Sequence, residues 1–160
     1  MRDKLKAFIG DSTFHCNTRW IAYGYPNKTY MLDYSRMGGQ HGTDIIAMFI
    51  GTKTIISAAQ NIDKTFPDFA KSYQSYLLSH ARTGDPNTYR VMSGPSPTVP
   101  LERVKTLDHN LTVVEAGPKG FSTIQDKINS KEVCDFWRNI FAQETKSLGK
   151  SKLTFLSCVL

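Results

Sequence analysis

Long apolar runs are missing from this 160-residue chain. No segment approaches the roughly twenty apolar residues that a membrane-crossing helix needs, so no membrane span is expected. The opening stretch Met1-Arg2-Asp3-Lys4-Leu5-Lys6 has charge but no apolar core behind it, and no secretory leader is read there. Taken literally, that absence would make the chain cytosolic, but it says little about where a longer parent protein goes. Cysteine is scarce: Cys16, Cys134 and Cys158 allow one pair with one thiol left over, and counting does not choose the pair. Repeats and low-complexity tracts are absent, which argues against a solenoid or a linker.

Clustered positive charge is also lacking. The net charge is +6 and the pI near 9.3, but Lys and Arg are scattered, with Lys146, Lys150 and Lys152 the nearest approach to a run. No recognition motif accompanies them, so nucleic acid is not an expected partner. A chain of this size is long enough to bury a core. Yet only residues 30–35 and 111–115 read as strands, and a free-standing sheet with helices on it usually needs more than two. The pattern is that of part of a larger sheet.

Helices are easier to place. Asp11 or Ser12 is a candidate N-cap for a helix running to about Tyr23, stopped by Gly24 and Pro26. Pro67 suits a first helical position, and Phe69, Tyr73, Tyr76, Leu77 and His80 follow at helical spacing until Gly84 and Pro86. His80 reads as a core or edge residue, since no acid or nucleophile is paired with it. Residues 91–100, with three prolines and Gly94, form a loop. Asn129 with Glu132 is a capping pair for a last helix whose Val133, Phe136, Trp137, Ile140 and Phe141 make a wide apolar stripe. That stripe reads as packing surface, and no cofactor is expected. Residues 52–61 fit a strand or a short helix equally well.

The most informative stretch is 29–49. Tyr30, Leu32 and Tyr34 alternate with Met31, Asp33 and Ser35, the period of a strand with one face buried. After Arg36, Gly38, Gly39 and Gly42 loosen the backbone, and His41 is presented on a loop at the strand's carboxyl end. That is where α/β folds place chemistry. The apolar run 45–50 then packs the loop down.

Gly39-Gln40-His41-Gly42-Thr43-Asp44-Ile45, with Phe49 beyond, resembles the catalytic-histidine loop of the type B carboxylesterase and cholinesterase family. Further landmarks follow in family order. Gly10 to Cys16 resembles the segment in which an aspartate precedes a cysteine-bearing helix, and Asn27-Lys28-Thr29-Tyr30 resembles the glycosylated turn before the histidine strand. Ala81-Arg82-Thr83-Gly84-Asp85-Pro86-Asn87 resembles the threonine-glycine-x-proline-asparagine helix stop, and Glu132 to Trp137 resembles the cysteine, phenylalanine and tryptophan of the final helix. The tryptophan and proline that the family usually carries in the 91–100 region are missing.

The resemblance implies the C-terminal portion of an α/β-hydrolase fold, about two strands of the central sheet with packing helices, incomplete as a stand-alone domain. The match covers about residues 8 to 145, and the domain it implies is residues 1–148, with 149–160 as a tail. It implies a carboxylic-ester hydrolase acting on a small-molecule ester, with His41 as the triad base. It also implies a Cys16–Cys134 disulfide, glycosylation at Asn27 and a secreted or extracellular parent; Asn110-Leu111-Thr112 is a second acceptor sequon consistent with that. Some family members link subunits through a cysteine near the C-terminus, which makes Cys158 the candidate for joining two copies. Asp44 matches the acidic residue after the family's histidine and reads as a local partner of the loop, not as the triad acid; Asp11 and Asp33 have no better claim. No Gly-x-Ser-x-Gly elbow and no glycine-rich oxyanion segment occurs. Serine and acid precede histidine along this fold, so both are expected upstream of Met1 and the chain alone is expected to be inactive. The alternative is a non-catalytic binding or adhesion member of the same fold.

Overall fold

The computed structural model describes residues 2–40, 42–49, 63–104, 111–126 and 130–147. They fall into two compact units. The first holds the N-terminal helices and the last helix; the second holds the sheet and the helix packed on it.

In the first unit, α1 (Arg2–Ile9) runs through a wide turn of π-helix (Gly10–His15) into α2 (Cys16–Gly24) without leaving helical backbone angles at the joints. Asp11 and Ser12 therefore do not cap a helix start, as the sequence suggested. Asp11 bonds the His15 ring at 3.1 Å, and the Ser12 hydroxyl donates back to the Phe8 carbonyl at 2.7 Å. Asn17 and Thr18 donate in the same way to Thr13 and Phe14. Such back-bonding supplies donors to carbonyls where the regular ladder is disturbed. A Cβ at Gly10 would lie 2.9 Å from the His15 ring, so glycine is what lets that ring lie over the turn.

The last helix, α5 (Lys131–Ser147), starts on Ser130, whose hydroxyl accepts from Val133 N–H at 3.3 Å. Asn129, the expected cap, lies outside the described residues. Cys134 is disulfide-bonded to Cys16, and both are fully buried. Beside that bond runs an aromatic seam: Phe8 on Trp137 at 5.0 Å, Trp137 on Phe141 at 6.0 Å and Trp20 on Phe141 at 6.3 Å between ring centres. The apolar stripe is only partly covered, since Phe136 is 56% and Val133 36% exposed.

In the second unit, β1 (Leu32–Tyr34) pairs in parallel with β2 (Thr112–Gly117), with Leu32 opposite Val114 and Tyr34 opposite Ala116. β2 turns through Pro118 and Lys119 into an antiparallel β3 (Gly120–Gln125), giving the order β1-β2-β3. The third strand adds to the two that the sequence announces. A parallel pair requires a crossover. Here it includes α3 (Thr43–Phe49) and the long α4 (Phe66–Thr83). Phe69, Tyr73 and Tyr76 of α4 are buried on one sheet face against Ala116, Val114 and Phe121, with Phe69 stacked on Phe121 at 5.0 Å. Leu77 and His80, expected on the same face, are exposed. Gly84, in the left-handed region at φ 73, ends the helix.

The proline-rich stretch after α4 has no ladder; Thr98 N–H donates to Val91 O at 2.7 Å, and other backbone groups go to side chains. Ser72 donates to Ser96 O at 2.5 Å, Ser79 accepts from Tyr89 N–H at 3.0 Å, and Asn87 exchanges two bonds with Leu101. The Tyr76 hydroxyl donates to Val99 O. Hydroxyls on one flank of α4 thus hold an irregular segment in place.

The Cys16–Cys134 bond spans 118 positions of sequence, a closure worth about 4 to 5 kcal/mol by the chain-entropy account. Reduction, or Cys134→Ser, is expected to lower the urea midpoint of the chain and to make wild type and variant coincide in reductant. A midpoint indifferent to reductant contradicts this.

Candidate active site

The carboxyl end of β1 is where the sequence places chemistry, and the residues on both sides of position 41 are described. Ser35 N–H donates to Ala116 O at 3.2 Å, continuing the parallel pairing one residue beyond β1. The Ser35 hydroxyl donates to Glu115 Oε1 at 2.5 Å. A Cβ at Gly117 would stand 3.0 Å from both members of that pair, so the glycine leaves them their room.

Arg36 follows, and with it the chain turns. Met37, Gly38 and Gly39 all have positive φ, at 58, 78 and 60 degrees, and Gly42 follows at 84. Consecutive left-handed residues reverse the strand direction, and two of these three are glycine, which takes the conformation without steric cost. Beyond the turn, Thr43 donates to Gln40 O through both its N–H, at 3.0 Å, and its hydroxyl, at 2.6 Å. α3 begins there. Its Ala47 is fully buried, and its backbone carbonyl accepts from Gln74 of α4 at 2.9 Å. Of the apolar run expected to pack the loop down, Ala47 is buried and Ile46 and Met48 pack on the α4 cluster, whereas Ile45 and Phe49 are about half exposed and Ile50 lies outside the described residues.

Below the turn lies a phenolic cluster. Tyr34 packs edge-on against Tyr73 at 5.5 Å and Phe69 at 6.2 Å. Its hydroxyl is buried and has no hydrogen-bond partner among the described residues. Burial pushes the Tyr34 phenol up, Arg36 opposes this and Asp44 adds to it. The Tyr73 phenol is pushed up to about 12, chiefly by burial and then by the charge of Asp44 and by Tyr34. Asp44, in the first turn of α3, thus supplies negative charge to this cluster.

His41, Asn110 and Cys158 lie outside the described residues. Asn27 is exposed in a turn at φ 61, and the Thr29 hydroxyl of the same sequon is buried with no partner among the described residues. Asp11 is taken by His15, and Asp33 sits in register with Glu115. Sequence reasoning missed Arg36, which bonds Asp63 and Thr65. The signal was present in Asp63-x-Thr65 ahead of Pro67, where Asp63 Oδ1 accepts from Thr65 N–H at 2.8 Å and leads the chain into α4. In the first unit, an open groove lined by Trp20, Tyr23, Arg138 and Phe141 offers aromatic surface and one cation. Among the described residues, no three of His, Cys, Asp and Glu gather as metal ligands, and no helix is long and apolar enough to cross a membrane.

The chain is similar to a secreted lipase. That protein, from Arthroderma benhamiae, is 36% identical over 146 residues, covering 88% of this chain and 27% of the lipase. The chain therefore spans 27% of its curated relative's length. No family model and no solved structure matches it. Together with the mixed three-stranded sheet and its crossover helix, this likeness identifies the fold as part of an α/β architecture of the hydrolase kind.

Two outcomes are expected of this geometry. Gly39→Ala puts a side chain at φ 60 with its Cβ 3.3 Å from Tyr34 O, and is expected to cost about 1 to 2 kcal/mol, whereas Met37→Gly is not expected to destabilise; urea melts of both compare directly. In the unfolded chain Tyr73 loses its proton near 10.0, and in the folded chain near 12. The folded state therefore binds the extra proton between these values, so this tyrosine's contribution to stability is full below pH 10 and is lost as pH rises toward 12. Tyr73→Phe is expected to lessen the fall of melting temperature over that window, part of which Tyr34 and Tyr76, also pushed up by burial, retain; an unchanged slope contradicts the assignment.

Proposed function

We propose that this chain is the C-terminal part of a carboxylic-ester hydrolase of the serine type, related to type B carboxylesterases and cholinesterases, with His41 as its general base. The observation that carries the reading is the likeness to a secreted lipase along nearly the whole chain. The layout around position 41 supports it: a strand ends in left-handed glycines, and a short helix packed on α4 follows.

On this reading His41 takes the proton of a serine as that serine attacks the ester carbonyl, and later returns it to the leaving alcohol. An imidazole suits the task because it titrates near neutral pH. Serine, acid and oxyanion donors come from polypeptide outside these 160 residues. The substrate is a small-molecule ester. The parent protein is secreted, in keeping with its relative's description, the disulfide and the exposed Asn27 sequon, at which glycan is carried, as at Asn110. Cys158 is the thiol available for joining two copies.

A chimera tests this directly. The matching stretch of the Arthroderma benhamiae lipase is replaced by this chain, and hydrolysis of a short-chain p-nitrophenyl ester is followed for the chimera, its His41→Ala variant and the 160-residue chain alone. The chimera is expected to hydrolyse the ester and the chain alone to stay at background. His41→Ala is expected to lower kcat on the order of 10⁴-fold or more. A folded chimera whose activity survives His41→Ala would sink the reading.

A further inference from the structure

Arg36 holds its charge almost out of water. Its side chain is 6% exposed, whereas that of its partner Asp63 is 61% exposed. The guanidinium carbon stands 4.4 Å from the centre of the Phe69 ring and 5.5 Å from that of Phe66. Nη2 donates to both Asp63 oxygens, at 2.8 and 3.0 Å, and to Thr65 Oγ1 at 2.8 Å, while Nη1 reaches Pro118 O at 3.4 Å. Bonds from Thr65, together with Arg36, hold the Asp63 carboxyl below the usual range.

Three places in the chain meet on this one group: the end of β1, the entry to α4 and the β2–β3 turn. An ion pair whose anion is solvated adds little to stability. Stability is thus a weak reason for sinking a cation here, and position is a better one. A guanidinium stacked on an aromatic ring and bonded in several directions has its geometry fixed, which a flexible ammonium does not achieve. The chain leaves this cation at Met37 and meets it again at Asp63.

We infer that Arg36 is a positioning residue for the hydrolase reaction: by holding both roots of the 37–62 excursion against the sheet and α4, it fixes the loop on which residue 41 is carried. It acts through the backbone on either side and touches no reacting atom. The catalytic consequence rests on the reading of His41 as base; the anchoring does not.

Hydrogen exchange read by mass spectrometry on the full 160-residue chain tests the anchoring. Wild type is compared with Arg36→Gln, Asp63→Asn and, as a control that loses a different arginine bond, Arg90→Gln, whose Nη1 normally donates to Thr98 O. Amides of residues 42–49 are expected to exchange about tenfold faster in the first two variants, with β2 and β3 at wild-type rates. Unchanged rates, or an equal acceleration through β2 and β3, overturn the anchoring. In the chimera, with active serines counted by covalent titration, Arg36→Gln is expected to lower kcat per site about tenfold with KM held within about twofold, the pattern of a displaced catalytic group. An unchanged kcat per site, or an equal loss in Arg90→Gln, overturns the positioning role. If His41→Ala leaves the chimera active, the reading of His41 fails, and the exchange measurement still decides whether Arg36 is the anchor.

Discussion

A buried guanidinium without acceptors is one of the most expensive things a fold can contain, and the second unit is arranged so that Arg36 is never in that condition. Its acceptors are a carboxylate, a hydroxyl and a backbone carbonyl from separate parts of the chain. Its flat face is covered by the same phenylalanine that stacks on Phe121 of β3. Satisfying one cation therefore brings together strand end, helix start and hairpin turn, and desolvation enforces the arrangement. Removing any acceptor leaves the charge where water cannot readily reach it.

The two units are held together internally by different means. In the first, a disulfide and a run of edge-on and stacked rings join α2 and α5, while large apolar side chains such as Phe8, Phe14 and Phe136 keep much of their surface exposed. In the second, α4 covers the sheet with Phe69, Tyr73 and Tyr76, and its other flank presents serines to an irregular segment. Hydroxyls serve there because a segment without a ladder still needs partners for every buried N–H and C=O.

Much of this was legible in the sequence, and what was not has physical causes. Period-two alternation marked β1, whose Leu32 and Tyr34 pack on the core although the strand is half-buried throughout, and the proline-to-glycine frame marked α4, which buries one continuous face. β3 escaped notice because its apolar residues, Phe121 and Ile124, fall on opposite faces of the strand and show no period; the Gly117-Pro118-Lys119-Gly120 turn was the available sign. The cap at Asp11 failed because back-bonding side chains and a glycine let helical backbone continue where the sequence showed a start signal. The disulfide came from resemblance alone, since three cysteines do not choose their pairing. The histidine loop was legible as a strand end followed by glycines, but the cation beneath it was not. A lone arginine in a sequence looks like surface until the rings that cover it are brought together from distant positions.

The left-handed turn and the Arg36–Asp63 closure also bear on variation among relatives. Between the two members of that pair, α3 is seated on α4, with Ala47 fully buried and its carbonyl bonded to Gln74. A change of length inside Thr43–Phe49 would turn the buried side of that helix away from α4. Ion pair and helix contacts thus restrict this stretch together, and relatives are freer to vary its exposed positions, such as Ile45 and Phe49, than its length.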